Sequence, residues 1–292
     1  MIRFFIASYT LAVVLCQKVS TEETFTPNLQ EEHVTEEIST IATNTSLESF
    51  DGNNYGGDNS HFIEEPREVR IDQGSRVSIK QYPYVVSLHN NKGYQCVGTI
   101  ITSRLILTAF HCIHENLITI IRVGSSDKYQ GGQIYSVAQN IKYPYAKSTL
   151  WEISHDVALL LLHKKIKNAL PVTLVPSKMR VPENAIVRAV GWGRNRRDRD
   201  PRYLMRVALE LAPVDKCQNS YDTYFLCTET KRSSTCEGDS GGPILWNYGN
   251  VLYQVGTVSH STQELCGNGE PAGNVNVRKY LSWITGYMKM YQ

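Results

Sequence analysis

Beyond residue 70 the chain alternates between short apolar runs and polar turns. Six runs are rich in Val, Ile, Thr and Tyr and are separated by Gly, Pro and Asn, a pattern typical of β-strands. These runs are YVVSL (84–88), TIITSRLILTAF (99–110), LITIIRV (117–123), VALLLL (157–162), AIVRAVGW (185–192) and YQVGTVS (253–259). The pattern predicts an all-β barrel or sandwich.

Helical periodicity occurs only at the end of the chain, in YLSWITGYMKMYQ. Apolar and aromatic side chains recur there at spacings of three and four residues: Leu281, Trp283, Ile284, Tyr287 and Met288. This spacing predicts a terminal amphipathic helix that packs on the β-structure.

Residues 18–70 have a different composition. Their apolar residues are scattered without sustained periodicity, so burial is not expected to offset the entropy of ordering, and we expect a flexible acidic leader. This segment carries twelve acidic and three basic side chains, a net charge of −9, whereas residues 71–292 sum to +10. The sign of the charge changes at Arg70, which makes this residue a candidate domain boundary.

The first seventeen residues resemble a secretion signal. Arg3 precedes twelve mostly apolar residues, 4–15, which is shorter than the stretch of about 20 needed to span a bilayer. We expect cleavage near Cys16 and a secreted, extracellular product; a membrane anchor is the alternative. No later apolar run is longer than 157–162, so no other membrane segment is expected. In a secreted chain, Asn44 would lie in a glycosylation sequon.

Length and composition narrow the class of protein. The chain has 292 residues, 41% of them hydrophobic, and a net charge of +2, which exclude collagen-like, coiled-coil and wholly disordered proteins. The length is compatible with two domains or with one large β domain. We expect a monomer without a nucleic-acid partner.

The cysteines support an oxidising compartment. Without Cys16, six of the seven remain, an even number that fits three disulfides, although six cysteines allow fifteen pairings. Zinc binding is the alternative, but no CxxC pair occurs. We therefore expect neither a metal nor another cofactor.

Three short motifs carry chemically capable residues: LTAFHC with His111, SHDVALL with Asp156 and CEGDSGGP with Ser240. Each residue alone has an ordinary interpretation, as a core histidine, a turn aspartate or a loop hydroxyl. In this order and at these separations, the motifs resemble those of the chymotrypsin and trypsin family of serine proteases. The resemblance covers nearly all of residues 71–292.

The resemblance implies two six-stranded antiparallel β-barrels with a C-terminal helix, at about 71–170 and 180–292, and a catalytic cleft between them. Ser240 would be the nucleophile, His111 the general base and Asp156 the residue that orients the imidazole. The N–H groups of Gly238 and Ser240 would form the oxyanion hole. The chain would hydrolyse peptide bonds in proteins or peptides.

The resemblance also implies activation by cleavage. IDQG follows Arg70, where mature chains of the family begin near IVGG. Cleavage after Arg70 by a trypsin-like protease would free the amino group of Ile71 to pair with Asp239. Asp72 and Gln73 stand where the family has Val and Gly.

Substrate preference follows from the residue six positions before the nucleophile, which is Ser234. An Asp there selects Lys or Arg in the family, and without that charge a cationic side chain would lose its hydration uncompensated. Ser261 and Ala272 would form the pocket walls. We expect cleavage after Phe, Tyr, Leu or Met, with smaller residues as the alternative. His260 stands where the family usually has Trp.

By resemblance, the six cysteines would pair as Cys96–Cys112, Cys217–Cys227 and Cys236–Cys266. Five arginines between Arg194 and Arg202 would lie in an exposed loop, which either binds anionic polymers or is simply solvated. Protease inhibitors are further candidate partners. The alternative function is that of a non-catalytic homologue that keeps the fold and acts as a binding or regulatory protein.

Overall fold

The computed structural model describes residues 74–114, 117–148, 153–195, 200–217, 224–229, 234–261 and 271–291, with only the backbone for Ser261. The predicted signal segment and leader, with Arg70, Ile71 and Asn44, lie outside these residues. Within the described residues the strands are β1 (Ser75–Arg76), β2 (Val85–Asn90), β3 (Gly93–Ile100), β4 (Leu105–Thr108), β5 (Ile120–Val123), β6 (Gln133–Lys142), β7 (Lys147–Ser148), β8 (Ile153–Ser154), β9 (Ala158–Leu162), β10 (Thr173–Leu174), β11 (Ile186–Gly191), β12 (Met205–Ala212), β13 (Phe225–Glu229), β14 (Pro243–Tyr248), β15 (Val251–Ser261) and β16 (Ala272–Asn276).

Four helical segments accompany these strands in the described part of the chain. Two are α-helices, α1 (His111–His114) and α2 (Leu281–Met290). The other two are single 3₁₀ turns, Val214–Lys216 and Val277–Tyr280, the second leading directly into α2. None of the described helices is long and apolar enough to cross a membrane.

Twelve of the strands form two closed rings of six antiparallel strands each. The first ring has the order β2-β3-β4-β9-β6-β5, and pairing of β5 with β2 closes it. The second has the order β12-β11-β14-β15-β16-β13, and pairing of β12 with β13 closes it. The two-barrel architecture expected from the sequence is confirmed.

Two short strands attach to the second ring although they precede it in sequence. β1 pairs with β12, and β10 runs parallel to β15. The beginning of the described chain is thus fastened to the second barrel before the first barrel starts.

The apolar runs become strands because their side chains are buried. Every residue of β2, β4 and β9 is buried. All three strands belong to the first ring, in which β4 pairs with β9. One run, 99–110, is divided between β3 and β4. The Thr102 hydroxyl accepts hydrogen bonds from the N–H groups of Arg104 and Leu105, which fixes a tight turn inside the run.

The predicted terminal helix is present as α2. Ile284 is fully buried, and four partly buried side chains of the helix pack against the main core: Leu281, Trp283, Tyr287 and Met288. The helix therefore uses the apolar face that the sequence indicated.

Candidate active site

His111 is placed by the junction between a buried strand and a short helix. β4 ends at Thr108, and the buried Ala109 and Phe110 lead into α1, which His111 begins. A disulfide joins Cys96 on β3 to Cys112 in α1. The helix turn that carries the imidazole is therefore covalently fixed to the barrel.

Asp156 faces His111 from the segment before β9. Its carboxylate is completely buried, and Oδ1 accepts a 2.8 Å hydrogen bond from the His111 backbone N–H. Oδ2 lies 2.8 Å from His111 Nδ1. Burial alone would raise the pKa of Asp156, but the neighbouring His111 and the hydrogen bonds hold it below its usual value. The geometry favours an ionised Asp156 carboxylate that is bonded to His111 Nδ1 and does not engage His111 Nε2.

Ser259 is a third member of this hydrogen-bond network. Its hydroxyl donates to Asp156 Oδ2 at 2.5 Å and lies 3.3 Å from His260 Nδ1. Burial, together with the charge of His111, lowers the pKa of His260, with Asp156 acting in the opposite sense. Ser259 was not among the predicted site residues, although the predicted strand YQVGTVS ends with this serine.

Ser240 lies on the tight loop between Cys236 and β14. Gly238 and Gly241 have φ values of 92° and 78°, conformations that favour glycine, which explains the glycines that flank Asp239 and Ser240. The Val97 N–H donates to the Ser240 carbonyl at 2.8 Å, so β3 of the first barrel holds the loop.

The loop also approaches the chain that leads to His111. A side chain at Gly241 would collide with the Thr108 hydroxyl and would lie 3.1 Å from the Ala109 backbone nitrogen. Ser240 therefore meets the first barrel close to the strand end that precedes His111. A cavity of about 200 Å³ is lined by Ser240 together with Thr235, Cys236, Glu237, Val258, Ser259 and His260.

The Asp239 carboxylate accepts hydrogen bonds from two backbone N–H groups. Its Oδ1 accepts from the Gly193 N–H at 2.7 Å and its Oδ2 from the Cys236 N–H at 3.0 Å. Burial raises the pKa of Asp239 to about 6, although the two N–H groups and the charge of Lys128 act in the opposite sense. Its predicted partner, Ile71, lies outside the described residues.

The expected pocket residues occupy three separate segments. Ser261 pairs with Ala272 across β15 and β16, and Ala272 is buried. The Ala272 carbonyl accepts from Asn274 Nδ2 at 3.0 Å and from the Thr228 hydroxyl at 3.4 Å, so the strand is firmly held. Ser234, on the segment before Cys236, is half-buried.

Two of the three cysteine pairs implied by the resemblance are present, Cys96–Cys112 and Cys217–Cys227. Cys236 is also disulfide-bonded. The remaining cysteine, Cys266, lies outside the described residues. Disulfides of this kind are typical of proteins from oxidising compartments.

One group of potential metal ligands occurs among the described residues: Cys96, His111 and Cys112, whose ligand atoms lie within 4.8 Å of one another. The two sulfurs are bonded to each other, however, and a disulfide sulfur is not the thiolate that binds metal ions. These atoms therefore lie close together because the Cys96–Cys112 disulfide is next to His111.

Two antiparallel barrels that bring an imidazole, a buried carboxylate and a loop serine to their junction define the chymotrypsin-like class of serine protease folds. Comparison with known sequences gives the family: the trypsin family model matches residues 71–284. The chain belongs to the trypsin family of serine proteases.

Several characterised relatives are similar over most of their length. A collagenase from Hypoderma lineatum is 27% identical over 76% of this chain and 88% of its own. A venom serine protease from Polistes dominula is 29% identical, covering 74% of this chain and 84% of its own. Granzyme M from Rattus norvegicus is 30% identical, with coverage of 74% and 88%.

Proposed function

We propose that the chain is the precursor of a secreted serine endopeptidase with the triad Ser240, His111 and Asp156. The observation that carries this proposal is the bond between His111 Nδ1 and Asp156 Oδ2 at 2.8 Å, made by a fully buried carboxylate. A carboxylate on Nδ1 fixes the tautomer in which Nε2 accepts a proton, which is what a serine nucleophile requires.

In the proposed reaction, the Ser240 hydroxyl attacks the scissile carbonyl and His111 Nε2 takes its proton. The imidazolium that forms is stabilised by Asp156 and then returns the proton to the leaving amine. The N–H groups of Gly238 and Ser240 donate to the oxyanion, and one such donor contributes about 3 to 4 kcal/mol to lowering the barrier. Water then hydrolyses the acyl-enzyme by the same proton transfers.

Activation is proposed to follow cleavage after Arg70 by a trypsin-like protease. The new Ile71 ammonium would enter the site and pair with Asp239, ordering the loop that carries Gly238 and Ser240. The pKa of Asp239, which desolvation raises to about 6, supports this, because such a carboxylate gains from a cationic neighbour. N-terminal sequencing of the active form should begin at Ile71, and an Arg70→Ala precursor should stay inactive. Full activity of that precursor would refute this activation step.

The proposed substrates are peptide bonds that follow Phe, Tyr, Leu or Met. This preference is supported by the uncharged side chain of Ser234 at the base of the proposed specificity pocket. Ser261 and Ala272 would form the walls of that pocket. The relatives bear names as different as collagenase and granzyme M, so family membership alone leaves the substrate open. A peptide library cleaved by the activated protein tests this preference; preferred cleavage after Arg would overturn it.

A non-catalytic homologue that acts as a binding or regulatory protein is the competing proposal. A fluorophosphonate probe distinguishes the two, since it reacts with an activated serine. The activated protein should be labelled, and neither a Ser240→Ala variant nor the uncleaved Arg70→Ala precursor should be labelled. Absence of labelling in the correctly cleaved protein would favour the binding function.

We also propose that the protein is secreted. For the loop between Arg194 and Arg202, we propose an affinity for anionic polymers. Arg194 pairs with Glu237 at 2.6 Å and Arg202 with Asp127 at 2.6 Å, while residues 196–199 lie outside the described residues. Replacing Arg196, Arg197 and Arg199 by Gln should reduce retention on a sulfated resin. Unchanged retention would leave the loop as a solvated surface.

Inhibitors are expected to bind the monomer at the cleft.

A further inference from the structure

A tyrosine of the first barrel reaches the backbone of the loop that carries Ser240. Tyr94 lies on β3, and its hydroxyl donates a 2.5 Å hydrogen bond to the Gly238 carbonyl. We propose that Tyr94 is a positioning residue that fixes the Gly238–Asp239 peptide, so that the Gly238 and Ser240 N–H groups point to one oxygen. The inference rests on the proposed function, because it concerns the proposed oxyanion hole.

The loop needs such a contact because its backbone is intrinsically free at this point. Gly238 has a φ of 92°, and glycine samples more conformations than any other residue. Gly238 is enclosed between two neighbours: a side chain there would lie 3.2 Å from the Gly193 backbone and 3.4 Å from the Tyr94 ring. Tyr94 therefore both limits the space around the glycine and bonds its carbonyl.

The Tyr94 ring is itself firmly held. It makes edge-on contacts with His89 and Trp192, with ring centres 5.7 and 6.5 Å apart. The Lys128 ammonium lies 4.3 Å from the ring centre, a cation–π geometry, and 2.5 Å from Asp200 Oδ1. The Lys128 side chain is only 1% exposed. A buried cation thus holds the phenol ring against the loop.

The phenol keeps its proton in this environment. Burial, together with the negative charges of Asp239 and Asp200, raises the pKa of Tyr94 well above its usual value. The hydroxyl therefore remains a donor to the carbonyl at any pH at which a histidine-dependent protease works.

Contacts from two sides fix successive residues of the loop. From the segment after β11, the Arg194 N–H donates to the Glu237 carbonyl at 2.8 Å, and the Gly193 N–H donates to Asp239. From β3, Tyr94 bonds the Gly238 carbonyl, and Val97 bonds that of Ser240. β3 therefore holds both residues whose N–H groups would contact the oxyanion.

The kinetic test uses Tyr94→Phe, which removes only the hydroxyl. We expect kcat of the activated enzyme on a chromogenic peptide to fall about tenfold, the effect of one hydrogen bond, with KM within about twofold. Fluorophosphonate titration should give an unchanged fraction of active sites. Tyr135→Phe is the matched control, since that hydroxyl bonds Gln133 and the Lys167 N–H and should leave kcat unaltered.

A second measurement does not depend on activity. Amide hydrogen exchange in the peptide that spans residues 237–241 should be about tenfold faster in Tyr94→Phe, and unchanged in Tyr135→Phe. Asp200→Asn weakens the support of Lys128 at an exposed carboxylate, so it should shift kcat and exchange in the same direction by a smaller factor.

The results separate the two hypotheses. If the cleaved wild-type chain neither reacts with the probe nor hydrolyses peptides, the proposed function fails, and hydrogen exchange still decides on Tyr94. If Tyr94→Phe exchanges and turns over like wild type, the positioning role fails alone. A loss that appears in KM, or as fewer titratable sites, would also overturn it, because it would indicate altered binding or folding.

Discussion

Two carboxylates lie at the proposed site, and their hydrogen-bond partners differ in kind. Asp156 accepts hydrogen bonds from the His111 backbone, the His111 imidazole and the Ser259 hydroxyl, and its pKa stays below the usual value despite burial. Asp239 accepts from the N–H groups of Cys236 and Gly193, and burial raises its pKa to about 6. Backbone amides reduce the cost of burying a charge, but they do not supply the counter-charge that an imidazolium can.

The partners of Asp156 are all present in the described structure, whereas the proposed cationic partner of Asp239 forms only on cleavage. Asp156 is stabilised as an anion by groups that the fold always provides. Asp239 would gain a counter-charge from the ammonium group that the proposed cleavage after Arg70 creates. The comparison can be tested at each carboxylate.

The largest effect is expected at Asp156. Asp156→Asn should reduce kcat of the activated enzyme about 10⁴-fold, because an amide on His111 Nδ1 favours the wrong tautomer. The exposed Asp215 offers a matched control, and Asp215→Asn should leave kcat unchanged. A modest loss at Asp156, below about tenfold, would contradict the triad.

A smaller but still large effect is expected at Asp239. Asp239→Asn in the cleaved chain removes one partner of the proposed ion pair, a change that costs about 3 to 5 kcal/mol and should lower kcat/KM about 10³-fold. In the Arg70→Ala precursor, the same substitution should change the residual activity little. Equal effects in both forms would show that Asp239 does not act through Ile71.

The pH dependence of the precursor follows from the sign of the shift. The pKa of Asp239 is about 6 in the folded chain against a usual value of 3.8, so the folded state holds the proton more tightly. Its contribution to the free energy of unfolding is complete below about pH 4 and is lost as pH rises through 6, by roughly 3 kcal/mol. Urea unfolding of Arg70→Ala from pH 4 to 7, with and without Asp239→Asn, measures this. Parallel curves would contradict the shift.

The smallest effect is expected at Ser259. Ser259→Ala removes one hydrogen bond to a carboxylate and should lower kcat about tenfold, with KM nearly constant. Its loss should also raise the pKa of Asp156, because the hydroxyl helps to keep that pKa low. Ser282→Ala, an exposed serine in α2, serves as the control. Unchanged turnover in Ser259→Ala would mean that His111 alone orients the carboxylate.

The sequence predicted the strands that are apolar throughout and the helix α2, because burial leaves a clear pattern in both. It did not indicate β6, where exposed and half-buried positions dominate, or β16, which carries Asn274 and Asn276. Such strands form because neighbouring strands supply hydrogen-bond partners, and single-sequence patterns do not reveal these partners.

At the site, the motifs led to His111, Asp156 and Ser240, but the supporting contacts were not foreseen. Ser259 and Tyr94 reach Asp156 and Gly238 across about 100 and 144 positions of sequence. Hydroxyls of this kind occur throughout the chain, and only folding selects the ones that meet a buried partner.

The fit of Gly241 against Thr108 and Val97 has a consequence for protein engineering. A chimera that takes one barrel from a relative can keep both hydrophobic cores intact and still displace the Ser240 hydroxyl. To preserve turnover, the residues of both barrels that meet at this contact would have to be transferred together.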